Sequence, residues 1–306
     1  MPNDNVKPLS WRCCGETMRF VTLKTAVGPR PGIVLGDRVM LLDGYQSLQA
    51  LIEAGDAGLD TIKAALPDYQ SRAGIQLNMD QLLAPLPRPL KNVFCVGLNY
   101  AAHARESLQA KGLEVKMPEH PVFFTKPPTA INSPTGEIVI DPAVSERIDW
   151  EVELGVVIGK AGKNISHEQA MEHVWGYTVI NDVSARDLQM RHQQFFKGKA
   201  LDGSCPMGPW IITSDELTDP HNLVVRLRVN GEIKQESNTN DLIFNIPTLI
   251  HVLSQGMTLE PGDIIATGTP AGVGFARTPQ EFLRPGDLLE TEVEGIGILR
   301  NPVVAG

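Results

Sequence analysis

The stretch Asp149-Trp-Glu-Val-Glu-Leu-Gly-Val-Val-Ile-Gly159 decides how the rest of the sequence is interpreted. In a β-strand successive side chains point to opposite faces, so this stretch places Asp149, Glu151 and Glu153 on one face. The other face is apolar from Trp150 onward. No Lys or Arg interleaves the acids, and carboxylates this close repel one another, so we expect a cation beside them.

Two interpretations of the acidic face are open from this stretch alone. Acids that alternate with apolar residues usually form the solvated outer face of an antiparallel sheet. However, a second apolar run, residues 176–181, ends in Asp182, and strand ends often carry site residues because a rigid scaffold adjoins an accessible loop there. Glu151, Glu153 and Asp182 would form an all-oxygen site, which suits Mg²⁺ or Mn²⁺, or Ca²⁺, rather than Zn²⁺.

The composition is that of an ordinary globular protein. With 306 residues, 42% of them hydrophobic and 21% charged, the chain can bury a sizeable core. A formal net charge of −9 argues against a general surface for nucleic acid or anionic membranes. The cysteines show no C-x-x-C pair, and no apolar run approaches the ~18 residues of a membrane helix. We therefore expect a cytoplasmic protein without nucleic-acid or membrane partners.

The chain is predicted to have three parts. Residues 1–17 precede the first periodic segment and are expected to be a disordered leader. Residues 18–88 alternate short strand and helix patterns, which predicts a small α+β lobe. The proline-rich run at residues 83–89 is a stiff connector, and residues 89–306, rich in strand patterns, form the predicted catalytic domain. The expected fold class is α+β and β-rich.

A candidate acid–base pair lies on the helix predicted for residues 101–109. His103 and Glu106 are three residues apart and are therefore neighbours on one helix face. A carboxylate beside a histidine raises its basicity and fixes its tautomer, as a general base requires. The alternative is an exposed surface pair that contributes only about 0.2–0.5 kcal/mol to helix stability.

Polar and basic residues follow Asp182 in a helix-compatible segment. Arg186 and Gln189 share one face of that helix, and Lys197 and Lys199 come after it. Such donors suit a carboxylate or carbonyl group, although each alone is more often a surface residue. The glycine-rich run at residues 267–274 lacks the spacing of a nucleotide-binding loop, but its N–H groups could receive an anion.

Five separated motifs together resemble the fumarylacetoacetate hydrolase family. They are Gly97-Leu-Asn-Tyr100 with His103 and Glu106, Asp149-Trp-Glu-Val-Glu153, Asn181-Asp-Val-Ser-Ala-Arg-Asp187, Gly198-Lys-Ala-Leu-Asp-Gly-Ser-Cys-Pro206 and Thr267-Gly-Thr-Pro-Ala-Gly-Val-Gly274. The chain looks most similar to the shorter fumarylacetoacetate hydrolase domain-containing proteins. The resemblance implies a mixed β-sandwich roll and a homodimer.

The resemblance also implies roles for individual residues. It makes the three acids Glu151, Glu153 and Asp182 ligands of Mg²⁺ or Mn²⁺, and His103 with Glu106 the dyad that activates water. The other contacts to the substrate and the transition state fall on Lys199, Arg186, Gln189 and Thr269, with Lys199 counted as catalytic. Fumarylacetoacetate hydrolase itself has a further Asp ligand seven residues before its histidine, and here that position is Val96.

Three functions are compatible with these residues. The leading expectation is a divalent-metal-dependent hydrolase that cleaves a C–C bond in a 2-oxo acid of the acylpyruvate type, giving pyruvate and a carboxylic acid. The alternative keeps the enolate but dispenses with water, as an oxaloacetate tautomerase or decarboxylase. A non-catalytic, metal-stabilised binding protein would instead show a closed coordination shell and no histidine near the metal.

Overall fold

The computed structural model describes residues 17–217 and 219–306, so the expected leader, with Cys13 and Cys14, lies outside the described residues except for Thr17. In chain order the strands are β1 (Arg19–Thr25), β2 (Gly28–Leu35), β3 (Arg38–Leu41), β4 (Ile75–Gln76), β5 (Leu82–Leu83), β6 (Val93–Gly97), β7 (Val122–Lys126), β8 (Ile131–Asn132), β9 (Ile138–Ile140), β10 (Ile148–Asp149), β11 (Val152–Ile158), β12 (Gly162–Lys163), β13 (Val174–Asn181), β14 (Ser184–Ala185), β15 (Cys205–Thr213), β16 (Val224–Val229), β17 (Glu232–Asn238), β18 (Thr258–Leu259), β19 (Ile264–Ala266), β20 (Leu288–Val293) and β21 (Gly297–Ala305). The helices are α1 (Leu48–Glu53), α2 (Gly55–Ser71), α3 (Ala101–Ala110), α4 (Arg186–Arg191), α5 (Phe196–Lys199) and α6 (Ile246–Leu253).

Two packed sheets dominate the described part of the chain. Twelve of its strands form a mixed sheet in the order β4-β3-β2-β1-β15-β13-β11-β19-β6-β7, with β5 beside β1 and β8 beside β15. Five others form a second sheet, β17-β16-β20-β21-β9. Strands β16, β20 and β21 contact β11, β13 and β15 of the first sheet. This arrangement confirms the expected β-rich α+β class.

Strand β11 lies at the centre of the fold, between β13 and β19. All of its residues are buried, because the second sheet covers one of its faces and a separate hydrophobic cluster covers the opposite face. Val152, Leu154 and Val156 belong to the larger core cluster, whereas Val157 packs in the other. Glu153 lies in β11 and Glu151 directly precedes it, so this central strand holds both acids in a rigid part of the fold.

The N-terminal strands continue the large sheet. Strand β1 pairs antiparallel with β15, and β2 and β3 follow outward. Helix α1 is capped by Ser47, whose Oγ accepts from the Ala50 N–H at 3.1 Å, and it buries Leu48, Leu51 and Ile52. The proposed boundary between residues 18–88 and 89–306 stays a prediction.

The structure departs from the sequence-based elements at two places near the site. Strand β15 was not predicted, because all nine of its residues are buried and it therefore shows no apolar alternation. The helix expected from Ser184 begins only at Arg186, since Ser184 and Ala185 pair with β10. Cys95 and Cys205 are buried free thiols. Across residues 17–217 and 219–306, every helix is too short or too polar to cross a membrane.

Candidate active site

Three buried acids meet where β11 begins and β13 ends. The antiparallel register pairs Val152 with Asn181, so Glu151 stands opposite Asp182, whose N–H donates to the Glu151 carbonyl at 2.9 Å. Glu153 lies two residues further along β11 and points the same way. One carboxylate oxygen from each acid lies within 4.8 Å of the other two. The acids are 0–5% exposed, so the alternative of a solvated acidic face is wrong.

Asp149 belongs to the acidic row in sequence but not to this cluster. Residues 150 and 151 lie outside β10 and β11, which interrupts the strand alternation between Asp149 and Glu151. Its carboxylate accepts from the N–H groups of Gly274 at 2.7 Å and Phe275 at 3.0 Å, and from Arg186 Nε at 2.8 Å. Asp149 therefore ties the glycine-rich loop to α4.

Two loops converge on the acids because β6 and β19 are parallel and end at the same edge of the sheet. Strand β6 continues into α3, and β19 continues into the glycine-rich run. The Gly268 N–H donates to Glu153 Oε2 at 2.8 Å. Gly268 has φ of +106°, and a Cβ there would lie 3.1 Å from the Val96 carbonyl oxygen, so only glycine allows this approach.

The predicted acid–base pair is formed on α3. His103 Nδ1 lies 3.0 Å from Glu106 Oε1, and both Glu106 oxygens lie 3.0 Å from the Gly272 N–H. Because a carboxylate can only accept, we assign the proton to Nδ1, which leaves Nε2 as the basic nitrogen. Nε2 stands 3.4 Å from Ser107 Oγ, and His103 is only 6% exposed.

Two buried lysines are bound to the acids. Lys199 Nζ donates to Glu151 Oε2 at 2.7 Å and to Asp182 Oδ2 at 2.8 Å. Lys126, which is fully buried, donates to Asp182 Oδ1 at 2.8 Å and to the Val183 carbonyl at 3.0 Å. Burial opposes protonation of Lys199, but the charges of Asp182 and Glu151 outweigh it and raise its pKa. Lys126 is a site residue that sequence reasoning missed, although its place at the end of an apolar strand was a signal.

The predicted substrate contacts are also near the acids. Arg186 forms an ion pair with Glu151, in which Nη2 lies 2.7 Å from Oε1, and it donates through Nη1 to Gln189 Oε1 at 3.0 Å. Thr269 Oγ1 accepts from Gln235 Nε2 at 2.8 Å, and Gln235 is a buried partner that sequence reasoning missed.

A glycine allows Lys199 to reach the acids. A Cβ at Gly198 would lie 2.5 Å from the Gln189 backbone nitrogen, so this glycine lets α5 pack closely on α4. Lys197, by contrast, is not among the side chains that line the site cavity.

One cavity joins these side chains. His103, Glu151, Lys199 and Thr269 line it together with Arg186 and Gln189. Val96 also lines it, at the position where the resemblance implies a further Asp ligand in fumarylacetoacetate hydrolase itself. Its wall further includes residues that sequence reasoning did not single out: Ser107, Lys111, Phe124, Met190 and Phe195.

The charges in the cluster leave room for a cation. Burial disfavours ionised Glu151, yet Lys199, Arg186 and His103 outweigh it and lower its pKa to about 2. Burial, with the charges of Asp182 and Glu151, raises the pKa of Glu153 well above its usual value. Within the described residues no basic side chain lies within 4.0 Å of the Glu153 carboxylate. A hard divalent ion, bound through oxygens at about 2.0–2.6 Å, fits this all-carboxylate set and would neutralise Glu153.

The chain is similar in sequence and in fold to several known proteins. A Bacillus subtilis protein named oxaloacetate tautomerase YisK is 50% identical over 223 residues, which are 73% of this chain and 73% of that protein. The Xenopus laevis protein named oxaloacetate tautomerase fahd2, mitochondrial, is 42% identical over 302 residues, 94% of this chain and 91% of its own. A solved structure of a fumarylacetoacetate hydrolase from Exiguobacterium antarcticum superposes with a TM-score of 0.77 at 37% identity, covering 95% of this chain and all of that one.

These relatives are enzymes, so the expectation of an enzyme is confirmed. The pattern of the fumarylacetoacetate (FAA) hydrolase C-terminal family matches residues 92–304, the part of the chain that supplies every acid, base and lysine of the site. The chain belongs to the fumarylacetoacetate hydrolase family.

Proposed function

We propose that this chain is an oxaloacetate tautomerase, which moves a proton between C3 and the C2 oxygen of oxaloacetate. The observation that carries the proposal is the fixed dyad, in which Glu106 holds His103 so that Nε2 is the base beside the cavity. A single well-placed base suffices for proton transfer between two neighbouring substrate atoms. The names of the Bacillus and Xenopus relatives support this substrate. They favour the alternative expectation over acylpyruvate hydrolysis.

Glu151, Glu153 and Asp182 would hold the divalent ion, Mg²⁺ or Mn²⁺ with Ca²⁺ as a further candidate. When bound, such an ion supplies Lewis-acid stabilisation of negative charge on the substrate oxygens. Lys199 uses two of its three N–H donors on Glu151 and Asp182 and has the third for a substrate oxygen. Gln189 accepts from Arg186 through Oε1, which leaves its Nε2 to orient a substrate carboxylate.

The proton is handled by His103. Nε2 removes a proton from C3 of the keto form, and the imidazolium that results is stabilised by the Glu106 carboxylate 3.0 Å from Nδ1. The same nitrogen then delivers the proton to the C2 oxygen, which yields the enol. The Gly272 N–H lies 3.0 Å from both Glu106 oxygens and helps to position this carboxylate. The pair is therefore pre-oriented for transfer in either direction.

Hydrolysis of an acylpyruvate is the second candidate, since the superposed structure is a fumarylacetoacetate hydrolase. In that reaction His103 would have to hold a water against the distal carbonyl. Decarboxylation of oxaloacetate would require neither a water nor a C3 base in the forward step. The homodimer and the cytoplasmic location stay predictions.

The test compares the parent with His103→Ala, and with His167→Ala as a control for loss of an exposed histidine outside the cavity. Enol–keto exchange of oxaloacetate, CO₂ release from oxaloacetate and pyruvate release from acetylpyruvate are measured with Mg²⁺ and Mn²⁺. We expect fast exchange by the parent, a loss of about 10²–10⁴-fold in His103→Ala, and retained metal binding. A parent that is inert in exchange but releases pyruvate from acetylpyruvate would establish the hydrolase instead.

A further inference from the structure

Lys111 stands on the catalytic face of α3. It directly follows the helix and is eight residues after His103, with Ser107 midway between them. Residues four apart lie on one helix face, and all three side chains line the same cavity. Side chains on a helix lean toward its N-terminus, so the Lys111 ammonium extends back toward His103.

The other two cationic side chains of the cavity wall are already paired. Arg186 donates through Nε to Asp149 and through Nη1 to Gln189, and its Nη2 forms an ion pair with Glu151, all at 2.7–3.0 Å. Lys199 is held between Glu151 and Asp182. Both charges therefore serve mainly to neutralise the protein's own acids.

Lys111 differs from these two cations. Its ammonium lies 5.5 Å from the centroid of the Phe195 ring, and among residues 17–217 and 219–306 no carboxylate approaches it within 4.0 Å. Although the residue as a whole is exposed, partial burial of the ammonium and then the positive charge of Arg186 lower its pKa. Its charge therefore acts within the site and is available to a ligand.

We infer that Lys111 binds the second carboxylate of the substrate, the one remote from the three acids, and so selects 2-oxo acids that carry two carboxylates. This inference rests on the proposed function. An oxaloacetate dianion brings two negative charges into the cavity, and the 1-carboxylate and 2-oxo group are the pair that suits the cation site. The 4-carboxylate then needs a counter-charge, and a charge-assisted hydrogen bond to an ammonium provides one.

The selectivity has a simple chemical consequence. An acylpyruvate, or the 4-methyl ester of oxaloacetate, has no second carboxylate and gains nothing from Lys111. Oxalate binds compactly and also has no remote group to offer. Of these compounds, Lys111 should therefore affect oxaloacetate alone, and it should affect the binding of oxaloacetate and not the transfer of the proton.

The test uses Lys111→Met, which keeps the length and the contact with Phe195, and Lys111→Arg, which keeps the charge. Lys116→Met is the matched control, because Lys116 lies on the same segment, is 79% exposed and pairs with Glu119. For each Mn²⁺-loaded protein, KM and kcat for tautomerisation of oxaloacetate and of its 4-methyl ester are measured. Calorimetric titration gives the Kd of both compounds and of oxalate without reference to turnover.

We expect Lys111→Met to raise KM and Kd for oxaloacetate by about 10–100-fold, as loss of one charge-assisted hydrogen bond implies, with kcat nearly unchanged. The constants for the ester and for oxalate should stay at parental values, Lys111→Arg should recover most of the affinity, and Lys116→Met should match the parent. Equal weakening of diacid and ester, or no weakening, overturns the inference. A parent that binds the diacid through Lys111 but does not tautomerise it overturns the proposed function alone, and one that binds neither compound overturns both.

Discussion

Replacing Asp149 with Ala should destabilise the fold strongly, because this buried carboxylate accepts from four donors. The change removes the acceptor for Arg186 Nε and for the N–H groups of Trp150, Gly274 and Phe275. Removing one partner of a buried ion pair costs about 3–5 kcal/mol. In the variant Arg186 retains its ion pair with Glu151 at 2.7 Å, so we expect a loss of stability at the lower end of that range, about 3 kcal/mol.

The expected shift in melting temperature follows from chain length. An unfolding entropy of about 2.1 cal/mol/K per residue over 306 residues gives roughly 0.6 kcal/mol/K, so a loss of about 3 kcal/mol lowers Tm by about 5 °C. Asp149→Asn keeps an acceptor but loses the charge, and its Tm should lie between those of the parent and Asp149→Ala. Asp60→Ala, on the exposed side of α2, is the control and should change stability by no more than about 0.5 kcal/mol.

The assay is thermal unfolding followed by circular dichroism, with chelator-treated proteins compared at one concentration, since a bound ion would add its own stabilisation. Asp149→Ala melting within 1 °C of both the parent and Asp60→Ala would refute the reasoning. Such a result would mean that the ion pair of Asp149 with Arg186 and its contacts with Gly274 and Phe275 contribute no net stability to the folded protein.

Three further outcomes are expected. Alanine at any one of the acids Glu151, Glu153 and Asp182 should abolish calorimetric Mn²⁺ binding, because a hard cation with few protein ligands cannot lose one; parental affinity in any variant would contradict the metal site. We expect residues 100–121, which carry His103 and a charged, glycine-containing stretch, to form a lid that orders over a bound ligand; their amide hydrogens should exchange more slowly with oxalate bound, and equal exchange in both states would contradict this. Gly198→Ala should destabilise by about 1–3 kcal/mol and weaken tautomerisation, since the added Cβ would displace α5 and with it Lys199; an unchanged Tm and rate would show that α5 adapts.

Much of the candidate site was predictable because backbone geometry fixes which neighbours in sequence share a face. The period of two places Glu151, which directly precedes β11, on the same face as Glu153, and the helical period places His103 beside Glu106 at 3.0 Å. The same helical period could have indicated Ser107 and Lys111, which follow His103 at intervals of four. The β-rich class was likewise indicated by short alternating runs separated by turn residues.

By itself the sequence indicated the local faces, the pairing of His103 with Glu106, a set of acids suited to a cation and, through its ordered motifs, the family. The tertiary structure alone decided what meets across long separations. It set the register that puts Asp182 opposite Glu151 and the parallel pairing of β6 with β19 that brings two loops to one edge. It also turned Asp149 toward Arg186 and buried Lys126 against Asp182. Such contacts depend on packing between segments far apart in the chain, whereas periodicity reports only on residues within one strand or helix.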